Sequence, residues 1–164
     1  EYLRTLDQTG PIRDYNEYTP QLGRRFRALK LWIMLRYFGL EGLRRRIQNH
    51  LEMAARFADW IDSDPDFERT APVPFSTVCF RYRPTSLAAT QDDTDVAEQI
   101  DLLNVRLMDA INRSGKAFVS HTRLHGRMTI RVAIANLRTR DTDLVSVWQL
   151  IRDEAAALSI APSA

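Results

Sequence analysis

The sequence predicts an α+β fold: a small antiparallel sheet covered by helices and preceded by a long helical segment. Three observations predict it. Residues 40 to 62 carry apolar side chains at three- and four-residue steps, the period of an amphipathic helix. Two later stretches, 78–82 and 129–134, alternate apolar and polar residues, the period of a half-buried strand. Before the second of these stands Leu124-His125-Gly126-Arg127, a hairpin signal.

Taken in order, residues 1 to 21 have no sustained period and are punctuated by Gly10-Pro11 and Pro20, so they read as a loop. Leu22 to Trp32, LGRRFRALKLW, opens a helix. Arg24, Arg25 and Arg27 fall within about one turn, at roughly 3.6 residues per turn. Phe26, Leu29 and Ile33 make the expected buried stripe, and Trp32 and Leu35 widen it. The arginines are either a solvated basic face or a set of fixed contacts to carboxylate or carbonyl oxygens, which guanidinium suits better than ammonium. This first helix is expected over 23–38, ending at Gly39. A second follows over 40–62, with Leu40, Leu43, Ile47, Leu51, Ala54, Ala58 and Ile61 on its inner face. Asp64-Pro65 ends it.

In residues 67–83, Val78, Phe80 and Tyr82 alternate with Cys79, Arg81 and Arg83, while Pro72 and Pro74 keep the segment before Ser76 irregular. Residues 85–94 read as a polar loop. A third helix is expected over 95–113 on Val96, Ile100, Leu103, Leu107 and Ile111, stopped by Ser114-Gly115. Strand-like runs at 117–122 and 128–135 flank the hairpin. A last helix begins near Asp141 with Thr139 as its N-cap and Leu144, Val147, Trp148, Ile151, Ala155 and Leu158 on its inner face. Strand, helix, strand, strand, helix after residue 70 is close to a split ferredoxin-like arrangement. The domain reading is a loop and hinge (1–21), a basic helix with a long connecting helix (22–69), a small α+β domain (70–158) and a frayed tail (159–164).

Composition narrows the function classes. The 164 residues, 45% hydrophobic and 27% charged, suffice for one domain with a real core. A net charge of +2, with acidic residues balancing basic ones, argues against nucleic acid. No apolar run approaches the roughly 20 residues of a membrane helix, and no charged start is followed by an apolar h-region, so no signal peptide is expected. One cysteine, Cys79, cannot form an internal disulfide and fits a reducing, cytoplasmic setting. Cys79 is expected to be inert. Three histidines and one cysteine form no metal-ligand spacing, so no metal site is expected. There is no Gly-rich phosphate loop and no Gly-x-Ser-x-Gly elbow. Arg131, inside an apolar strand, is either on the face away from the core or buried and paired. His121 reads as a structural histidine, and His125 as an exposed one in the turn.

LGRRFRALKLW, followed by Arg36-Tyr37-Phe38-Gly39 and Leu43 and joined by MTIRVAIANLRT around Arg131, resembles the C-terminal part of the group II pyridoxal-phosphate-dependent amino-acid decarboxylases, the aromatic-L-amino-acid decarboxylases in particular. The similarity runs from Tyr2 to Ile151. It implies the small C-terminal domain of a fold-type I enzyme, a homodimer with active sites at the subunit interface, and conversion of an aromatic or related amino acid to amine and carbon dioxide. Tyr2 matches the lid tyrosine that protonates the substrate carbon. Arg131 matches an arginine that holds the substrate carboxylate in some members and is structural in others. Arg24, Arg25, Arg27 and His121 take structural or interface roles.

The resemblance also implies that pyridoxal 5'-phosphate is held by an upstream domain. Its Schiff-base lysine has no counterpart here, since neither Lys30 nor Lys116 matches the family's His-Lys motif. The chain, which lacks an initiator methionine, is therefore expected to be a piece of a longer enzyme and not competent alone. Asn16-Glu17-Tyr18 departs from the more basic, tryptophan-containing stretch of the animal enzymes, which puts the contacts near the lid hinge in question. The alternative is a standalone α+β binding or regulatory module. The apolar first helix, which asks for a partner surface, speaks against it.

Overall fold

The computed structural model describes residues 26–88 and 94–160. Helix α1 spans Arg27–Ser63, followed by strands β1 (Phe67–Arg69) and β2 (Thr77–Tyr82), a one-turn helix α2 (Thr85–Ala88) and helix α3 (Thr94–Arg113). Strands β3 (Ser120–Leu124) and β4 (Arg127–Ala133) and helix α4 (Asp141–Ile160) complete the fold. The sheet runs β1-β2-β4-β3 with every neighbour antiparallel. Strand β4 thus lies between β2 and β3, and the α3 crossover connects the strands on either side of it. This is the predicted α+β architecture.

Two compact units divide at Leu40 and Glu41. In the first, the described residues are the opening of α1. Phe26, Leu29 and Ile33, expected to be buried, are exposed, as are Trp32, Leu35 and Tyr37. Three- and four-residue spacing marks a face that needs cover, and the described residues of this unit do not cover it. Gly39 has φ 64° and ψ 173°, so the helical run is broken where the sequence placed its stop.

The second unit holds the core. Its centre is Phe57, which meets Trp60, Phe80 and Trp148 edge-on at ring separations of 6.0, 6.1 and 5.7 Å. Phe67 joins Phe80, Tyr82 and Trp148 at 6.1, 5.2 and 5.0 Å. Such tilted and edge-to-face pairs add to the burial of large apolar surface. Leu40 and Ile47 of the expected inner face are exposed, and burial begins at Met53. The end of α1 therefore belongs to the sheet's core. Arg56 of α1 forms an ion pair with Asp141 at the start of α4.

Several local readings are refined. Strand β1 was not anticipated; it is a three-residue edge strand in which Phe67 faces Tyr82. Part of the expected loop after Pro84 is the turn of α2. The hairpin is as read, closing through His125 (φ 51°) and Gly126 (φ 79°), the two positive φ values of a type I′ turn. The α4 cap is not Thr139. The Arg140 N–H donates instead to the Asp143 carboxylate at 2.9 Å, a reach-back one turn into the helix.

Candidate functional site

Chemistry-bearing side chains gather where β2 and β4 part. The register pairs Phe80 with Ile130 and ends there. Beyond it, α3 supplies the hydrogen bonds that a longer ladder would have made. Asn104 accepts from the Tyr82 N–H and donates to the Tyr82 carbonyl, each at 2.8 Å. Asp101, one turn earlier, accepts from the Met128 N–H at 2.9 Å. The same carboxylate takes the Arg81 guanidinium at 2.7 Å and the Arg123 guanidinium at 3.2 Å.

Arg81 is 4% exposed, the only buried charged side chain among the described residues. Burial pulls its basicity below the ordinary arginine value, with the Asp101 and Glu68 carboxylates acting against that pull. Its Nε has no hydrogen-bond partner among the described residues, and neither has the buried hydroxyl of Thr70. Both residues line a cleft of about 340 Å³ with Glu68, Arg69, His125 and Arg127. No periodicity in the sequence marks this cluster. Its signal was Asn104, a polar residue standing between Ile100 and Leu107 on an otherwise apolar stripe.

The sequence-predicted residues are more dispersed. Arg131 is half-buried in β4, facing Cys79 on one neighbouring strand and Ser120 on the other. It makes no ion pair among the described residues. Burial raises the Cys79 thiol above its ordinary value, and the positive charge of Arg131 partly offsets this. His121 is exposed in β3 and faces Ile130, so it and Arg131 lie on opposite faces of the sheet. Arg27 is exposed at the start of α1. Tyr2, Arg24 and Arg25 lie outside the described residues. No group of three or more His, Cys, Asp or Glu among the described residues could hold a metal. No helix among them is long and apolar enough to cross a membrane.

A family model described as the pyridoxal-dependent decarboxylase conserved domain matches residues 1–83, half of the chain. The chain belongs to that family. Among curated relatives, tyrosine decarboxylase 2 of Narcissus pseudonarcissus is 40% identical over 159 residues, 96% of this chain and 30% of the relative. Phenylacetaldehyde synthase of Arabidopsis thaliana is 38% identical over 159 residues, 96% of this chain and 31% of the relative. The crystal structure of Oryza sativa TDC with PLP and tryptamine superposes with a TM-score of 0.75 at 34% identity, over 88% of this chain and 30% of that one. The chain thus spans about 30% of the length of the relatives it matches.

A pyridoxal-dependent decarboxylase needs a lysine for its cofactor and a carboxylate at the cofactor's ring nitrogen. The chain's two lysines, Lys30 and Lys116, are both exposed, and neither lines the clefts that hold Asp64 and Glu68. The described residues therefore do not fit a pyridoxal phosphate site. This agrees with a chain that spans a minor part of its relatives.

Proposed function

We propose that this chain is the C-terminal portion of a pyridoxal-phosphate-dependent carboxy-lyase that converts an aromatic or related L-amino acid to its amine and carbon dioxide. The observation that carries the reading is the match to the decarboxylase family model, continued along 96% of the chain in a relative named tyrosine decarboxylase. The cofactor is held by an upstream domain of the same protein. Tyr2 serves as the lid phenol that donates a proton to the substrate carbon, and Arg131 engages the substrate carboxylate. Half-burial without an ion-pair partner supports that role for Arg131, because such a guanidinium gains from an incoming carboxylate.

The protein works as a cytoplasmic homodimer. The opening of α1 provides the surface that meets the upstream domain and the second subunit, and Arg24, Arg25 and Arg27 take structural or interface roles. Phe26, Trp32 and Tyr37 are 74%, 58% and 80% exposed, and exposed apolar side chains of that size gathered on one helix mark an interaction surface. The free Cys79 fits a reducing compartment. A second reading, aldehyde formation from the same class of amino acid, is favoured by the phenylacetaldehyde synthase relative.

The test is product analysis of the full-length protein with L-tyrosine, L-tryptophan and L-phenylalanine. Amine and carbon dioxide in equal amounts support the carboxy-lyase reading, and aldehyde supports the second. Turnover of none of these amino acids by folded, cofactor-loaded protein overturns both. Tyr2→Phe is expected to lower turnover with little change in substrate affinity. Arg131→Met is expected to weaken substrate binding if the guanidinium meets the carboxylate.

A further inference from the structure

The cleft at the parted ends of β2 and β4 has a charge balance that its own residues do not close. Arg69 is answered by Asp62, with three contacts between 2.9 and 3.1 Å. Arg83 is answered by Glu68 at 3.8 Å. Asp101, however, answers two guanidiniums at once, those of Arg81 and Arg123. Arg127 has no ion-pair partner among the described residues. Two positive charges are thus left over around one cleft.

Its hydrogen bonding is equally incomplete. The Arg81 Nε–H and the Thr70 hydroxyl are buried and without partners among the described residues. A buried donor left unpaired costs free energy that a ligand oxygen would recover. The free donors come from three separate residues: Arg81 on β2, Thr70 just past the end of β1, and Arg127 at the start of β4 beside the hairpin turn. Separated donors suit a tetrahedral oxyanion, which presents oxygens in several directions, better than a planar carboxylate.

We propose that this cleft binds a phosphate-class oxyanion, free or as the monoester of a small molecule, through Arg81, Thr70 and Arg127. The site lies wholly within the α+β unit and does not depend on the activity proposed above.

The test is nuclear magnetic resonance titration of the full-length protein, following the Arg81 Nε–H and the Gly126 amide. Inorganic phosphate is expected to shift both saturably, and chloride at equal ionic strength is not. Arg127→Gln, at an exposed position, is expected to weaken the phosphate affinity about tenfold. Thr70→Val is expected to weaken it less. Glycerol phosphate binding more tightly than inorganic phosphate points to a monoester as the ligand, and equal binding points to the free ion. Shifts that do not saturate, that chloride reproduces, or that both variants leave unchanged overturn the proposal.

Discussion

Asn104 holds both main-chain groups of Tyr82, its Oδ1 accepting from the N–H and its Nδ2 donating to the carbonyl, each at 2.8 Å. The arrangement recurs two turns along the same helix, where Asn112 holds both main-chain groups of Val119 at 2.8 and 3.0 Å. An amide side chain carries one acceptor and a donor pair, so it can stand in for the edge of a neighbouring strand. Helix α3 thereby does more than cover the sheet. It finishes β2 at one end and sets the approach to β3 at the other.

Asn104→Leu keeps the volume and removes that substitute strand. The Tyr82 N–H and carbonyl would then face an apolar side chain. At about 1–3 kcal/mol for each buried group left unpaired, the variant should lose about 3 kcal/mol of stability. Chemical denaturation checks this. A loss below about 1 kcal/mol would mean that water replaces the amide.

What the sequence made legible follows from which interactions are periodic. Helix α3, the β3–β4 hairpin and the inner face of α4 announce themselves through regular apolar spacing or through a His-Gly turn. Strand β1 does not, because three residues are too few to carry a period and its neighbours are prolines and charges. Phe57, the hub of the core, sits on the same stripe as Ala54, Ala58 and Ile61, and spacing alone does not rank its ring above the alanine methyls. The Arg81 cluster was illegible for a different reason. Its members come from five segments, β1 with the residue after it, β2, α3, β3 and β4, and only the folded sheet with α3 against it brings them together.

The Asp101 carboxylate serves two guanidiniums and the Met128 N–H. Asp101→Ala leaves the buried Arg81 charge without its counter-ion, a change that costs about 3–5 kcal/mol when one partner of a buried pair is removed. Removing the exposed Arg123 by Arg123→Ala should cost well under 1 kcal/mol. Comparing the two variants by thermal denaturation separates buried from surface pairing. Equal losses would contradict the burial of Arg81.

Phe57→Ala should be the most damaging single truncation in the core, at about 3–5 kcal/mol, because it removes the ring that touches Trp60, Phe80 and Trp148 together. Tryptophan emission reports it directly. Trp60 and Trp148 should shift to longer wavelength as water reaches the vacated site, even under conditions where the chain stays folded.

Gly39 occupies a backbone region essentially reserved for glycine, and a Cβ placed there would meet nothing within 4 Å. The cost of Gly39→Ala is therefore conformational alone, about 1–3 kcal/mol if the break is kept. Right-handed helix is open to alanine at no such cost, so the expected outcome is a continuous helix through this position. Far-UV circular dichroism should gain helical signal. Unchanged helicity with lower stability would show that the break is held by something stronger than the glycine.

Cys79 gives the clearest pH signature. Burial favours its neutral thiol, raising the folded-state value above the ordinary one, and Arg131 opposes that rise. A group raised in this way contributes stability below the unfolded thiol's value, and loses that contribution as pH climbs through the folded one. Alkylation proceeds through the thiolate, so its pH profile in the folded chain should inflect above that of a denatured control. Arg131→Met removes the opposing charge and should move the inflection higher still, while Arg27→Met should leave it in place. An Arg131→Met profile that overlays the parent would mean that the guanidinium is turned away from Cys79, and with it the half-buried, unpaired geometry on which its carboxylate-binding role rests.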